Sequence, residues 1–400
     1  MKILYIIPYV PYPLNSGGNQ AFFNMVDAVR KEHQVSILLY IHISKQQRDL
    51  EMLQKVWPNV TFYCYTPHGQ NLNMQQNAIA DSFATMSKWT QMQCRFFEYL
   101  KHSMERKIER RKRKYEQQED WLKNFSLGAF VRENSVLFAK NADLNDGFLE
   151  YVQQITRKGF DLIQTEFYEY LPLIYVLPHD VETVFVHHEL RYIRNANEMQ
   201  LFDQQRPTDK LLLDQQKDAE LSMLSHYKHI IVLTETDKML LSDETIPSKR
   251  IYVSPALTSA GTAKNHKPFR PSRDLVFVGG GDHFPNSDGM LWFCKEVFPE
   301  LEKLGTLPNI YIVGKWGDTI QGIIKYICPS VQFTGFVDDL DEFLNGKISI
   351  VPIRIGSGMR MKILDTISAA APLVTTSKGC EGLPFTNHVD CLIADTAAEF

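Results

Sequence analysis

No stretch of this 400-residue chain reaches the roughly 18 uninterrupted apolar residues that a membrane-spanning helix requires, so any membrane contact is expected to be peripheral. Cysteine is scarce. The six present, Cys64, Cys94, Cys294, Cys328, Cys380 and Cys391, lie far apart without a C-x-x-C pair; this argues against a zinc site and a disulfide framework and fits a reducing cytoplasm. Basic charge is not in excess either. With 43 Lys and Arg against 47 Asp and Glu, the net charge of -4 speaks against nucleic acid as a partner, because a domain that displaces counterions from phosphates is strongly basic. The N-terminus has the charge-then-apolar order of a signal peptide, but Pro8, Pro11 and Pro13 cut the apolar run far short, and residues 3–7 read as a buried strand.

What is present describes an ordinary folded protein, with 44% hydrophobic and 22% charged residues. A single core stops growing near about 250 to 300 residues, so two domains are expected. Short β-branched or aromatic runs at 3–7, 35–39, 60–65, 161–165, 183–186 and 229–233 alternate with helical stretches. Runs apolar on both faces and separated by helices are how parallel strands of an α/β sheet look in sequence. They outline an N-terminal domain at 1–260. A polar, proline-bearing stretch at 261–273 reads as a linker. The strand pattern restarts at 275–278 and continues at 310–313, 331–334, 348–351 and 373–375, a second α/β domain at 270–400. Between 88 and 148 the rhythm breaks into a polar, helix-favouring segment too long for an ordinary connection, which reads as a helical insertion in the first domain. The last residues resemble a helix cut after one turn, so the natural protein is expected to continue beyond Phe400.

The strand at 348–351 runs into Pro352-Ile353-Arg354-Ile355-Gly356-Ser357-Gly358-Met359-Arg360-Met361-Lys362-Ile363-Leu364-Asp365, where a helical period begins near Gly358. Two glycines between a strand end and a helix start let the backbone approach a ligand, and the free amides of the first turn form an anion site. In such a helix Lys362 and Asp365 share one face, with Arg360 at its mouth. A cation beside phosphate and a carboxylate one turn deeper match a nucleoside diphosphate, since a carboxylate accepts bonds from two vicinal ribose hydroxyls. A glycine-rich loop with a solvated Lys–Asp salt bridge has the same local pattern. The flanking sequence decides between them.

Arg354-x-Gly-Ser-Gly-x-Arg-x-Lys-Ile-Leu-Asp, then Ala369-Ala370-Ala371-Pro372-Leu373-Val374-Thr375-Thr376, then Gly379-Cys380-Glu381-Gly382-Leu383, closely resembles the donor-site region of glycosyltransferase family 4, retaining enzymes of GT-B fold. Upstream, Phe277-Val278-Gly279-Gly280-Gly281-Asp282-His283-Phe284-Pro285-Asn286 and Phe333-Thr334-Gly335-Phe336-Val337-Asp338-Asp339-Leu340 are similar to further elements of that family. In the first half, Gly17 and Gly18 before an amphipathic helix resemble its glycine-rich loop, although a plain βα turn has the same residues. His188, with His187 second, resembles its strand-end histidine, placed where ligand-contacting residues emerge from an open α/β sheet.

The resemblance implies an α/β GT-B architecture, two Rossmann-like domains facing across a cleft, with the acceptor on the N-terminal side and the donor on the C-terminal side. It implies a retaining glycosyltransferase that moves a sugar from a nucleoside diphosphate to a hydroxyl of a glycan or lipid-linked acceptor, in bacterial surface polysaccharide or glycoconjugate synthesis. Catalytic roles then fall to His188, Lys362 and Arg360. Donor contacts fall to Gly17, Gly18, Gly281, Asp282, Asn286, Arg354, Gly356, Ser357, Gly358, Met359 and Asp365. Neither a metal nor a cofactor beyond the nucleotide sugar is expected; Asp338, Asp339 and Asp341 read as turn and helix-capping residues rather than a D-x-D ligand pair.

Two departures stand out. Many family members carry an acid eight residues before the ribose-binding acid; here that position is Ser357, and the second acid is the shorter Asp365. The usual Arg and Lys after the first strand of the second domain are also missing, which leaves Arg354, Arg360, Lys362 or Lys315 to neutralise the diphosphate, Lys362 fitting best. A nucleotide-sugar epimerase of the same fold, or a non-enzymatic sugar-nucleotide-binding protein, are the alternatives. A NAD-dependent oxidoreductase fits least, for want of a G-x-G-x-x-G after the first strand.

One basic run stands outside this scheme. Lys101, Arg106, Lys107, Arg110, Arg111, Lys112, Arg113 and Lys114 face only Glu105 and Glu109 within 101–114. It reads either as an acceptor-side surface for anionic lipid, where each cation adds about 1 kcal/mol, or as a solvated helix. Under the first reading the protein sediments with anionic vesicles at low salt and is released at high salt; absence of sedimentation at low salt removes that reading.

Overall fold

The computed structural model describes residues 1–14, 17–66, 125–138, 144–244, 246–256, 270–305 and 307–400. Met1–His68 and Leu127–Phe400 form one compact unit; a second unit, Gly69–Ser126, lies outside the described residues except for its last two. The basic run at 101–114, most of the expected insertion and most of the linker at 261–273 therefore fall outside the description. Of the expected insertion, the described part forms the helix Leu127–Asn134 and the start of the helix Asp146–Thr156.

The large unit is α/β and holds two parallel sheets. The first comprises β1 (Lys2–Ile7), β2 (Gln34–Tyr40), β3 (Thr61–Tyr65), β4 (Leu162–Glu166), β5 (Glu182–His187), β6 (His229–Val232) and β7 (Ile251–Val253), in the order β3-β2-β1-β4-β5-β6-β7. The second comprises β8 (Leu275–Val278), β9 (Ile310–Val313), β10 (Val331–Gly335), β11 (Ile348–Val351), β12 (Leu373–Thr375) and β13 (Leu392–Ile393), in the order β10-β9-β8-β11-β12-β13. Each is a Rossmann-like sheet, and the pair makes the GT-B fold.

Alternation along β1 shows why these strands read as continuous apolar runs. Ile3, Tyr5 and Ile7 join Phe22, Val26, Ile37 and Trp57 on one face, while Leu4 and Ile6 join Ile163, Phe185, Leu224 and Tyr227 on the other. Successive side chains point to opposite faces, so a sheet covered by helices on both sides needs apolar residues at every position. The register is set accordingly, with Ile3 opposite Val35 on one side and Leu162 on the other. Among the described residues no helix is long and apolar enough to cross a membrane.

A third apolar cluster bridges the two sheets' layers. Val131 and Leu137, from the segment after the undescribed residues, pack with Phe202 and with Ile355 of the loop following β11, and the ring of Phe130 lies 5.7 Å from that of Phe284. The loop after β11 is thereby built into a core.

Truncating a fully buried aromatic in a central strand removes packing that the surroundings cannot close over. Phe185→Ala, in β5, is expected to destabilise the protein by about 3–5 kcal/mol, read as a lower urea midpoint by tryptophan fluorescence.

Candidate functional site

In an open parallel sheet, ligands gather at the carboxyl ends of the strands where the strand order reverses. The first sheet reverses between β1 and β4, the second between β8 and β11. The segments that leave those four strands, together with the loop after β5, carry most of the candidate side chains discussed below.

On the first lobe, Glu166 at the end of β4 is buried and holds two groups. Its Oε1 accepts from Gln164 Nε2 at 2.6 Å, and its Oε2 lies 2.8 Å from His188 Nε2. Phe167, next in the chain at φ 69°, stacks flat on the His188 ring with centroids 4.1 Å apart and an interplanar angle of 4°. Tyr9 packs on Phe167 in turn, and its hydroxyl lies 3.0 Å from where a Cβ on Gly18 would sit. Gly18, Tyr9, Phe167 and His188 thus form one wall.

His187 does something different. It is fully buried, 2.7 Å from Glu220, whose two oxygens also accept from the amides of Arg191 at 3.0 Å and Tyr192 at 2.9 Å. No side chain of the helix's own N-cap serves the helix Arg191–Gln200, so Glu220 from the helix Pro207–His226 satisfies its free first-turn amides. One buried carboxylate therefore fixes both ends of the 187–192 segment, and His188 with it.

On the second lobe, the expected helix start near Gly358 is shifted: the helix runs Met361–Ser368, with Arg360 as N-cap. The cause is conformational. Gly356 and Gly358 have φ of 124° and 76°, a region that a right-handed helix cannot use. Gly358 is also pressed so closely against the His188 carbonyl that a Cβ there would collide with it. Ser357 Oγ accepts from the amide of Leu190 at 2.6 Å, and a Cβ on Gly17 would meet the Met361 side chain at 2.5 Å. The loop after β11 therefore meets the first lobe beside His188.

Lys362 lies in the first turn of its helix, its ammonium 2.5 Å from Asn286 Oδ1 and 5.1 Å from the centre of the Phe277 ring. Asn286 is held by donating to the carbonyl of Gly280 at 2.7 Å, so the loop after β8 and the loop after β11 are tied through this lysine. Gly281 rests on the Trp316 indole, which a Cβ would approach to 2.7 Å, and Trp316 donates to the Gly279 carbonyl at 2.8 Å. Arg360 donates through Nη1 to the carbonyls of Ser357 and Gly358.

Burial penalises the charged forms of the groups gathered here. Burial, reinforced by the nearby charge of Arg360 and opposed by Asp365, lowers the Lys362 pKa to about 7. Burial, reinforced by Asp341 and opposed by Lys362, raises that of Asp365 to about 6. Asp237, from the first lobe, is raised by burial against the pull of His187 and of a backbone bond from Gly358. Burial also lowers Arg360, against the attraction of Glu189, Glu381 and Asp237.

Of the residues expected from sequence, Lys362, Asn286, Gly281, Gly356, Ser357, Gly358, Met359, Arg360 and Asp365 lie along the loops after β8 and β11 and the helix that follows. Gly17, Gly18 and His188 lie along the first lobe's loops. Asp282 is exposed at the turn. Arg354 is committed elsewhere: Nε and Nη2 bond to the buried Asp288 at 3.2 and 2.6 Å, beside Trp292. Lys315 contributes its carbonyl, which accepts from the Gly281 amide at 2.9 Å. Asp339 caps its helix by accepting from the Glu342 amide at 3.0 Å, the role expected of it. Sequence reasoning missed Glu166, Phe167, Glu220 and Asp288, whose partners are far away in the chain; only the Glu166-Phe167 strand end carries a local signal.

Comparison with known proteins bears on the fold and on the C-terminal part of the chain. Residues 272–400 match the family described as Glycosyl transferases group 1. No curated protein matches the chain by sequence. Similar solved structures include a TarM variant of S. aureus in complex with fondaparinux, alpha-GlcNAc-glycerol and UDP, at 12% identity and a TM-score of 0.57, covering 100% of this chain and 92% of that one. HepE of Anabaena, in complex with UDP and glucose, has 10% identity and a TM-score of 0.55, covering 100% and 87%. Sucrose-phosphate synthase of Thermosynechococcus elongatus has 12% identity and a TM-score of 0.56, covering 100% and 88%.

The two shifted groups make a test of the pocket. Between the ordinary lysine value and about 7 the unfolded chain holds a proton that folded Lys362 lacks, so stability falls as pH drops through that window. Between the ordinary carboxylate value and about 6 folded Asp365 holds the extra proton, so stability falls as pH rises through that window. A bound diphosphate restores the charge on Lys362. Calorimetry of UDP binding in buffers of different ionisation enthalpy is expected to show uptake of about one proton near pH 8.5, less as pH falls below 7, and none from Lys362→Met.

Proposed function

We propose that this chain, a glycosyltransferase of GT-B fold whose C-terminal domain is of group 1, transfers a sugar with retention from a nucleoside diphosphate to a hydroxyl of a glycan or lipid-linked acceptor. The observation that carries the reading is Lys362, a cation at a helix N-terminus, held by Asn286 at the strand-order reversal of the second sheet, with Asp365 one turn further on. Backbone amides and a fixed ammonium suit a diphosphate, and a carboxylate beyond them suits ribose hydroxyls.

In this reaction the acceptor oxygen forms a bond to the anomeric carbon and the bond from that carbon to the β-phosphate oxygen breaks. The proton of the acceptor hydroxyl leaves with the nucleoside diphosphate. Negative charge grows on the departing phosphate, and Lys362 with the first-turn amides stabilises it without reorganising. No metal is required for that step in this reading, since the chain supplies its own cation. His188, oriented by Glu166 and Phe167, faces the sugar from the other lobe. UDP in the complexes of TarM and HepE supports a uridine donor as the first to test. A role in bacterial surface polysaccharide or glycoconjugate synthesis, at the cytoplasmic side of the membrane, goes with this reading.

Lys362→Ala is expected to lower turnover on the order of 10²–10³-fold, the usual effect of removing one preorganised stabiliser of developing charge. Nucleoside diphosphate released in the presence of acceptor, quantified by chromatography, is the measurement. Unchanged release takes this pocket out of the mechanism.

A further inference from the structure

We propose that Glu189, in the loop after β5, is a carboxylate of the sugar subsite and that it and Arg360 hold one hydroxyl of the transferred sugar between them. This rests on the donor reading above.

The argument begins with unmade bonds. Glu189 Oε2 accepts from Arg194 Nη1 at 3.2 Å, but its Oε1 is buried and has no hydrogen-bond partner among the described residues. Arg360 spends Nη1 on the Ser357 and Gly358 carbonyls, while its Nη2 is likewise buried and without a partner among the described residues. The two atoms converge: Nη2 lies 2.9 Å, and Oε1 3.5 Å, from the point where a Cβ on Gly356 would sit. Both atoms thus flank the face of Gly356 that carries no side chain. A buried charged group that leaves a hydrogen bond unmade forfeits stability, so two such atoms flanking one gap call for a shared partner.

The chemistry of the pair selects that occupant. A carboxylate only accepts and a guanidinium only donates, so the group between them must donate to one and accept from the other. A hydroxyl does both. A phosphate oxygen would face Glu189 with like charge, and an ammonium would face Arg360 in the same way. The diphosphate therefore belongs by Lys362, and the neutral, hydroxyl-bearing part of the donor by Glu189. The carboxylate stays within reach of the cleft, with 24% of its side chain exposed.

Glu189 is also set up to remain charged. Burial pushes its pKa up, but Arg194, His283, Arg191 and Arg360 together pull it below the usual carboxylate range. A fixed negative charge beside the sugar stabilises the positive charge that develops at the anomeric carbon as the leaving group departs.

Calorimetric Kd values for UDP and UDP-glucose, with turnover of UDP-glucose, test the proposal on wild type, Glu189→Gln and Glu189→Asp. In Glu189→Gln, UDP binding is expected to stay within about threefold of wild type, the extra affinity of UDP-glucose over UDP to vanish, and turnover to fall on the order of 10²-fold. Glu189→Asp, which keeps the charge, recovers part of that loss. A Gln variant with unchanged turnover and unchanged preference for UDP-glucose overturns the proposal alone. So does a loss of UDP binding equal to the loss of turnover, since Glu189 would then act by holding Arg360 and not the sugar. Wild-type protein that binds none of UDP, ADP, GDP and dTDP, and none of their glucose conjugates, removes the donor reading and this proposal with it.

Discussion

The contact between the loop after β11 and the segment after β5 is the constraint on which the site depends. Backbone meets backbone there, Gly358 against the carbonyl of His188, and the Leu190 amide is bonded by Ser357 at 2.6 Å. Such close approach allows no Cβ, which explains why the loop is glycine-rich independently of any ligand. The same loop is anchored from below by Ile355, buried with Val131, Leu137 and Phe202. A ligand-facing loop is usually mobile because few contacts hold it; this one is clamped on two sides.

Buried carboxylates form a second layer of control. Glu166 orients His188, Glu220 holds His187 and the start of a helix, and Asp288 holds Arg354. None is expected to touch a substrate. Each sets the direction of a basic or backbone group, as outer partners do around catalytic residues generally. Arg354 shows how this changes a sequence reading: a cation at the right place in a motif serves the scaffold once a buried acid claims it.

How much of this could be read from sequence follows from the range of each interaction. The strands were legible because burial on both faces writes apolar residues at consecutive positions, and observed strands such as β1 and β11 fall on those runs. The loop after β11 stood out in the sequence because its glycines, lysine and aspartate lie within one local stretch. The start of its helix was misplaced, since a period of apolar residues does not report the positive φ of Gly356 and Gly358. Glu166 was not legible: its partner His188 is brought to it by the neighbouring strand. Residues 101–114 lie outside the described part of the chain.

One feature of the first lobe bears on how narrowly its histidine can direct a contact. The His188 ring has one nitrogen tied to Glu166 and a face covered by Phe167 at an angle of 4°. Such a ring can neither flip nor tilt without giving up a charged partner and a stacking contact. It presents Nδ1 along a single direction, fixed by the fold before any ligand arrives. Rigidity at this histidine thus makes it a directional contact rather than an adaptable one.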